Sequence, residues 1–159
     1  MKSYDKPDLN KIRSVANYQF GKNVGAVLFP EDVKIKYSTK TGRVRLIFEG
    51  NELLATLRPT NGLIALTLVG AKKLRDLTNS PQFRVVVDGD AEPFVAQGLN
   101  VPAGHIINAS KEILPNDEVI VTDKNDKVLA VGKALLTGKE MLAFKRGIAV
   151  KVRKGCKEV

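Results

Sequence analysis

The sequence predicts an α+β protein made of two small domains, on three observations. Most of its 159 residues fall into short strand-like runs, which turn residues separate at intervals of about 8 to 12 residues. A few stretches between these runs have the spacing of short amphipathic helices instead. Residues 78–82, TNSPQ, contain no apolar residue and are typical of a linker. We therefore expect a first domain over residues 1–78 and a second over residues 82–156.

The first expected element is a helix over residues 9–20. Asp8 is a candidate N-cap for it, and Gly21 provides a stop. Apolar residues recur in this stretch at helical spacing, so one face should be buried. That face consists of Leu9, Ile12 and Ala16 or Val15.

An antiparallel sheet should follow the helix. Apolar and polar residues alternate over residues 33–37 and 44–48, and the turn-rich link STKTGR joins the two runs, which predicts a hairpin. The strand-like runs LLATLRP and LIALTLVG flank the dipeptide Asn61-Gly62, which favours a tight primed turn. Residues 69–77 then have the pattern of a short amphipathic helix.

The second domain is expected to be a small mixed or closed β-barrel with short helices. FRVVVD is a strand, AEPFVAQ is a short helix ended by Gly98, and HII begins another strand. EVIVTD and VLAVGKALL follow as strands on either side of the turn KNDK. A short helix around residues 139–144 and a last strand over residues 149–152 complete the domain.

The segment QGLNVPAGHII, residues 97–107, contains the only histidine of the chain. Gly98 suits the left-handed position that ends a helix, and Pro102 and Gly104 suit positions i+1 and i+3 of a type I turn. A stiff loop with small side chains lets a ligand approach its backbone closely. The alternative is that these are turn residues which the fold alone requires.

The formal net charge of +9 points to a polyanionic partner. Residues 139–157 hold seven Lys and Arg against one acid. Within this stretch Lys151 and Arg153 alternate with Val150 and Val152, so both cations should emerge on one face of a strand. A basic face that serves only solubility is the alternative.

Composition excludes several other classes of protein. With 43% hydrophobic and 27% charged residues the chain should fold. No window approaches the ~18 consecutive apolar residues of a membrane span, and the first residues lack the apolar stretch of a signal peptide. The single cysteine, Cys156, excludes an internal disulfide and a Cys-rich metal site. We expect a cytoplasmic protein with no cofactor and no membrane partner.

Catalytic motifs are not evident. His105 has no neighbouring Ser, Cys or carboxylate in a recognisable nucleophile motif, and neither GxSxG nor a P-loop occurs. Asp88 and Asp90 resemble a carboxylate pair, but a helix-capping turn before Ala91 explains them better. Cys156 is most simply a bystander thiol. We therefore expect no enzymatic activity.

The second half of the sequence resembles the PUA domain, a family named for pseudouridine synthases and archaeosine transglycosylases. The resemblance covers roughly residues 82–155 and lies in three stretches. They are FRVVVDGDAEPFVAQGLNVPAGHII, PNDEVIVTDKNDKVLAVGKALLTGKEM and KRGIAVKVRKG. It implies a PUA-type mixed barrel whose loop and final strand line a groove that holds RNA.

The first half resembles the small α+β domain that precedes the PUA domain in archaeosine tRNA-guanine transglycosylase. The matching segments are YQFG, STKTGR, ATLR, NGL and GAKKL. The barrel that exchanges the base in that enzyme, and its zinc-binding cysteines, have no counterpart in this sequence. The resemblance therefore implies the tRNA-holding portion of the enzyme without its chemistry.

The resemblance also implies which residues contact RNA. They are Gly98, Asn100, Val101, Pro102, Ala103, Gly104, His105, Lys145, Arg146, Lys151, Arg153 and Lys154. Candidates for additional contacts flank hairpin turns of the first domain. They are Lys40, Arg43, Arg45 and Arg58. The six Phe and three Tyr fall mostly on apolar faces, so we do not expect stacked bases to dominate recognition.

We conclude from the sequence that the chain is a non-catalytic RNA-binding protein. Its expected ligand is structured RNA, with the acceptor end of tRNA as the first choice. The alternative is an interaction subunit that supplies RNA affinity to a separate RNA-modifying or ribosome-associated enzyme.

Overall fold

A computed structural model describes residues 6–158. The chain forms two compact units that divide between Leu77 and Thr78. The first unit contains three helices and a sheet of four antiparallel strands. The elements of this unit are α1 (Lys6–Phe20), α2 (Val24–Leu28), β1 (Lys34–Tyr37), β2 (Val44–Glu49), β3 (Glu52–Leu57), β4 (Ile64–Leu66) and α3 (Leu68–Leu77).

Helix α1 buries the expected face but begins earlier than its sequence suggests. Leu9, Ile12 and Ala16 are all buried, which confirms the helical spacing. Gly21 has φ +109°, so it ends the helix in the left-handed region. Asp8 lies inside the first turn, and its Oδ2 accepts a 2.6 Å hydrogen bond from the Tyr37 hydroxyl. The expectation that Asp8 is the N-cap is therefore wrong.

The four strands of the first sheet run in the order β1-β2-β3-β4, so every neighbour in sequence is a neighbour in space. The hairpin of β1 and β2 is present. The expected primed turn at Asn61-Gly62 is wrong, because Gly62 has φ +70° but Asn61 is not among the residues with positive φ. A longer turn joins β3 to β4, and in it the Gly62 N–H donates to the Arg58 carbonyl oxygen at 2.8 Å. Helix α2 was not expected, because five residues are too few to show a helical period. Gly25 allows it to lie against α1, since a Cβ there would be 2.2 Å from the Arg13 carbonyl oxygen.

The second unit is a strongly curved, nearly closed mixed sheet of six strands with the order β6-β10-β9-β8-β5-β7. Strands β5 and β8 are parallel and the other pairs are antiparallel. This confirms the mixed barrel with short helices. Its elements are β5 (Arg84–Val87), α4 (Glu92–Ala96), β6 (Val101–Pro102), a 3₁₀ turn (Ala103–His105), β7 (Ile106–Ala109), β8 (Glu118–Thr122), β9 (Val128–Ala134), α5 (Gly138–Ala143) and β10 (Ile148–Gly155).

Small and β-branched side chains fill the interior of this sheet. Val85 and Val87 of β5 and Val119 and Val121 of the neighbouring β8 are all buried in this interior. Helix α5 contributes the buried Met141 to this interior, and a capping box stabilises its N-terminus. In that capping box the Thr137 hydroxyl accepts the Glu140 N–H. Burying these apolar side chains is what stabilises the unit.

A buried charge also lies in the second unit. The Arg84 side chain is 0% exposed and makes two hydrogen bonds to the Asp126 carboxylate, at 2.7 and 3.0 Å. Its guanidinium also donates to the Thr78 hydroxyl and to the Gln82 carbonyl oxygen. A buried guanidinium needs these partners because its desolvation is costly. Arg84 is therefore a structural cation rather than a ligand-binding one.

Candidate nucleic-acid interface

The loop of residues 98–105 and the last strand lie side by side, although some 45 residues separate them in sequence. Strand β6, inside the loop, pairs antiparallel with β10 through Pro102 opposite Ile148 and Val101 opposite Val150. We call the loop together with residues 145–154 the loop–strand surface. The two segments that the sequence singled out therefore lie on one continuous surface.

Side chains and further backbone bonds fix the loop to the strand. The Asn100 Oδ1 accepts the Val152 N–H at 3.0 Å, and the Ala103 N–H donates to the Gly147 carbonyl oxygen at 2.9 Å. These bonds hold Asn100 at the edge of β10. The position of the loop is thus set before any ligand arrives, which lowers the entropic cost of binding.

Two glycines of the loop are required by the structure. Gly98 has φ +97° and ends α4, as expected. Gly104 has no unusual φ, but a Cβ on it would lie 2.8 Å from the Lys145 carbonyl oxygen. A side chain at Gly104 therefore forces the loop away from the segment that carries Lys145.

The expected type I turn at Pro102 is wrong. Pro102 has ψ 139°, which is extended backbone, whereas position i+1 of a type I turn has ψ near −30°. Pairing with β10 keeps Pro102 extended, and the chain turns one residue later in the 3₁₀ turn Ala103–His105. The turn is still tight, but the strand pairing decides where it begins.

Several loop groups are already used inside the protein. The N–H groups of Gly98, Leu99 and Ala103 donate to backbone oxygens at 2.9 to 3.1 Å. The side chains of Val101 and Ala103 are 0% and 2% exposed and belong to the core. They hold the loop in place and offer no outward contact. The loop residues that reach the surface are Gly98, Leu99, Asn100, Pro102, Gly104 and His105.

A cleft of about 330 Å³ opens beside the loop. Phe94 and Leu99 line it and are 58% and 54% exposed, which is unusual for large apolar side chains. Its wall is completed by polar and apolar residues from α4 and the loop, among them Asn100, Pro102 and His105. Sequence reasoning missed Phe94 and Leu99 because the helical pattern marks them only as apolar.

His105 is positioned by an acid that the sequence did not pair with it. The Nδ1 of His105 lies 2.9 and 3.1 Å from the two carboxylate oxygens of Asp88. Asp88 Oδ1 also accepts the Ala91 N–H at 3.0 Å, which confirms the turn before Ala91, but α4 begins after Ala91 and has no side-chain cap, so Asp88 does not cap the helix itself. Partial burial raises the pKa of Asp88, but the hydrogen bonds from His105 and Ala91 outweigh it and leave that pKa below its ordinary value. Asp88 thus fixes the imidazole at the edge of the cleft.

The cations of β10 point away from the core on one face of the sheet. Lys151 lies opposite Lys133, and Lys133 lies opposite Glu118, so these three side chains share a face. A bulge between Val152 and Lys154 inserts one extra residue into the strand. Because of the bulge, Lys154 returns to the face that Lys151 occupies. Both lysines are exposed.

Arg153 lies on the same face but is already paired. Its guanidinium makes two hydrogen bonds to the Glu118 carboxylate, that from Nη1 measuring 3.0 Å. The Glu118 side chain is 2% exposed, whereas that of Arg153 is 35% exposed. The expectation that Lys151 and Arg153 emerge on one face is confirmed, but the pairing of Arg153 with Glu118 was not predicted. The sequence could not reveal this, because Glu118 lies 35 residues earlier, on a strand that is not adjacent to β10.

Lys145 and Arg146 lie in the exposed link between α5 and β10. The contact of the Lys145 backbone with Gly104 brings this link to the loop. The loop–strand surface therefore has cations along β10 and in the link just before β10. Lys40, Arg43, Arg45 and Arg58 lie in the first unit and form a separate cluster there.

Within residues 6–158 no group of three His, Cys, Asp or Glu side chains is placed to hold a metal ion. Over the same range no helix has the length and apolar character that crossing a membrane requires.

Comparison with known families agrees with this geometry. Residues 83–156 match the PUA domain. The second unit is thus a PUA domain. Residues 10–81 match the patch-forming domain C2 of tRNA-guanine transglycosylase. Together the two matches cover nearly the whole chain, which is similar to the C-terminal region of the archaeal tRNA-guanine transglycosylases, and this confirms the resemblance seen in the sequence.

Three relatives illustrate the match. The tRNA-guanine(15) transglycosylase of Methanothermobacter thermautotrophicus is 45% identical over 93% of this chain. Those of Methanobrevibacter smithii and Thermococcus kodakarensis are 41% and 43% identical over 98% and 95% of this chain. The matched regions are only 23%, 24% and 26% of these relatives. The chain spans about a quarter of the length of the relatives it matches.

Two solved structures have a similar fold. A hypothetical protein of Pyrococcus horikoshii is 27% identical with a TM-score of 0.78, over 96% of this chain and 92% of that one. A conserved PUA domain protein of Thermoplasma acidophilum has a TM-score of 0.67 over 99% of this chain and 93% of that one. At 18% identity the second likeness concerns the fold alone.

Proposed function

We propose that this chain is a non-catalytic RNA-binding protein that holds structured RNA on the loop–strand surface. Its ligand is the acceptor end of a tRNA. The observation that carries the proposal is the pairing of β6 with β10, which sets a rigid, glycine-containing loop beside exposed cations. The relatives support the choice of RNA, since their names place tRNA among the molecules on which they act.

The chemistry of the surface suits an A-form stem. Such a stem is read mainly through its shape, its phosphates and its 2′-hydroxyls. The cations exposed on the loop–strand surface are Lys145, Arg146, Lys151 and Lys154. Arg153 contributes less, because its charge is offset by Glu118. If all four exposed cations contact phosphates, counterion release gives a slope of log K against log salt of about −2.8 to −3.6.

The cleft beside the loop suits an unpaired base at the end of a stem. Phe94 and Leu99 present apolar surface, while His105 and Asn100 present polar groups at the edge. Base contacts with aromatic side chains contribute about 1 to 3 kcal/mol per base. The interior of a duplex offers no unpaired base, whereas a 3′ end does. This is the reason for proposing the acceptor end rather than any double-stranded region.

The experiment is filter binding of the whole chain to tRNA and to the same tRNA without its unpaired 3′ nucleotides, each over a series of salt concentrations. We expect tight binding at low salt, a slope near −3, and a loss of about 5- to 100-fold when the 3′ end is removed. Phe94→Ala should reduce the difference between the two RNAs. Absence of binding at low salt contradicts the proposal, and equal affinity for the two RNAs contradicts the choice of the acceptor end.

A second candidate is an interaction subunit that supplies RNA affinity to a separate RNA-modifying or ribosome-associated enzyme. The lengths of the relatives favour it, because the region that matches this chain is only about a quarter of each of those enzymes. Pull-down from extract after RNase treatment tests it. A protein that stays bound after nuclease supports the subunit, and loss of all partners with the RNA contradicts it.

A further inference from the structure

A second group of cations surrounds a cleft of about 460 Å³ in the first unit. We call it the cationic cleft. Its basic lining residues are Lys11, Lys40, Arg43, Arg45 and Arg58. None of the lining residues in the described part of the chain is acidic. The volume lies within the ~300 to 1,000 Å³ typical of ligand sites. We propose that the cationic cleft binds backbone phosphates of RNA, as a second contact with the RNA that the loop–strand surface holds, and in this it rests on the proposed function.

The order of the strands explains why these cations converge. In an antiparallel meander the first and third turns lie at the same end of the sheet. The turn between β1 and β2 carries Lys40 and Arg43, and the turn between β3 and β4 begins at Arg58. Arg45 enters β2 at this end, and Lys11 approaches from α1. Four separate segments of the chain thus contribute charge to one concave surface.

Hydrogen bonds inside both turns fix the backbone of the cleft. In the first turn Ser38 N–H donates to the Arg43 carbonyl oxygen at 2.8 Å, and Gly42 N–H donates to the Ser38 carbonyl oxygen at 2.9 Å. In the second turn Gly62 N–H donates to the Arg58 carbonyl oxygen at 2.8 Å. Because the turns are already ordered, binding an anion costs only the side-chain freedom of the cations.

The electrostatics of the cleft also favour an anion. Elsewhere in this unit basic residues pair with acids, as Lys73 does with Glu49 at 2.9 Å. Within residues 6–158, by contrast, Lys40, Arg43 and Arg45 are joined to no acid by an ion pair. Gathering like charges around one cleft destabilises the empty protein, and a bound phosphate removes that repulsion. Three of the five cations are arginines, whose planar guanidinium donates two hydrogen bonds to a phosphate.

The shape of the cleft favours a polynucleotide over a lipid surface. A membrane binds flat polybasic surfaces flanked by apolar side chains that can enter it. Here the cations line a concavity, and within the described part of the chain the only apolar lining residues are the half-buried Val44, the buried Leu57 and the exposed Pro59, so no large apolar side chain among them projects from the cleft. RNA presents phosphates on a convex backbone that can enter such a concavity.

The test uses the whole chain with the double variant Lys40→Gln/Arg43→Gln. Both side chains are exposed on a turn, so the fold should persist. Lys34→Gln/Lys72→Gln is the matched control, since it removes the same charge from exposed positions of the same unit outside the cleft. Affinity for tRNA is measured over a salt series. We expect the cleft variant to bind about 2- to 30-fold more weakly at low salt, with a slope reduced by about 1.4 to 1.8, and the control to stay within about twofold of the unchanged chain.

An NMR titration with inorganic pyrophosphate tests the cleft without RNA. We expect the Gly42 and Gly62 amide signals of the unchanged chain to shift, and those of the cleft variant to stay in place. If the chain binds no tRNA but these signals shift, the proposed function fails and the phosphate site stands. If tRNA binds and the cleft variant matches the control, the cleft proposal is overturned while the proposed function stands. Binding to anionic vesicles in preference to RNA also overturns it.

Discussion

Replacing Arg153 by Ala removes the partner of a buried carboxylate. Glu118 is 2% exposed and accepts two hydrogen bonds from the Arg153 guanidinium. Removing one member of a fully buried ion pair costs about 3 to 5 kcal/mol. The cost here should be smaller, because the Arg153 side chain is 35% exposed and Lys133 lies directly opposite Glu118. We expect Arg153→Ala to lower the free energy of unfolding by about 2 to 3 kcal/mol.

Urea unfolding followed by circular dichroism measures this loss. Lys151→Ala is the control, since Lys151 is an exposed lysine on the same strand and the same face. Substitution there should change the free energy of unfolding by no more than about 0.5 kcal/mol. Joint replacement by Glu118→Leu/Arg153→Met should recover much of the loss, because it removes the buried charge together with its partner. If Arg153→Ala costs no more than Lys151→Ala, the ion pair is not what holds Arg153, and that arginine becomes available for phosphate.

Three further outcomes follow from the structure. Gly104→Val should push the loop away from the Lys145 segment, so the loss in RNA-binding free energy should exceed the loss in the free energy of unfolding. An RNA affinity equal to that of the unchanged chain in filter binding contradicts the close approach of Gly104 to Lys145. The pKa of Asp88 is lowered, so its contribution to stability is complete above its ordinary pKa of 3.8 and is lost as the pH falls below that value. Asp88→Asn should therefore flatten the acid limb of the stability profile below about pH 4, and an unchanged limb in urea unfolding contradicts the His105 contact. Asp126→Ala should cost about 2 to 3 kcal/mol, since it leaves the buried Arg84 guanidinium without its carboxylate partner, and a thermal midpoint equal to that of the unchanged chain contradicts the buried pair.

The local elements could be predicted because their signals are local. The alternation around STKTGR and the stop at Gly98 each depend on a few adjacent residues, and each is present in the structure. The turn type at Asn61-Gly62 was wrong, although a turn does join β3 to β4 there. The turn at Pro102 was misplaced because a distant segment decides it, since β10 holds Pro102 extended. Asp8 lies inside α1, where its carboxylate accepts from the Tyr37 hydroxyl.

The sequence predicts which segments form the candidate site, but it does not predict the side-chain contacts within that site. The sequence indicates the loop and the basic strand, and the register of β6 on β10 brings them together. It could not indicate that Glu118 engages Arg153, that Asp88 engages His105, or that Phe94 stays exposed, since these depend on which strands and loops meet. The alternation of apolar and charged residues in β10 also predicts the wrong face for Lys154, because a bulge places Lys154 on the face of Lys151.

The most direct test of the account compares two charge-reversal variants in one tRNA titration over a salt series. Lys151→Glu/Lys154→Glu alters the loop–strand surface, and Lys111→Glu/Lys124→Glu changes the net charge equally at exposed positions outside it. The account predicts that the first variant loses at least tenfold in affinity and about 1.4 to 1.8 in salt slope, while the second keeps the slope of the unchanged chain. Equal losses in the two variants would show that net charge alone attracts the RNA, and would contradict a binding site on this surface.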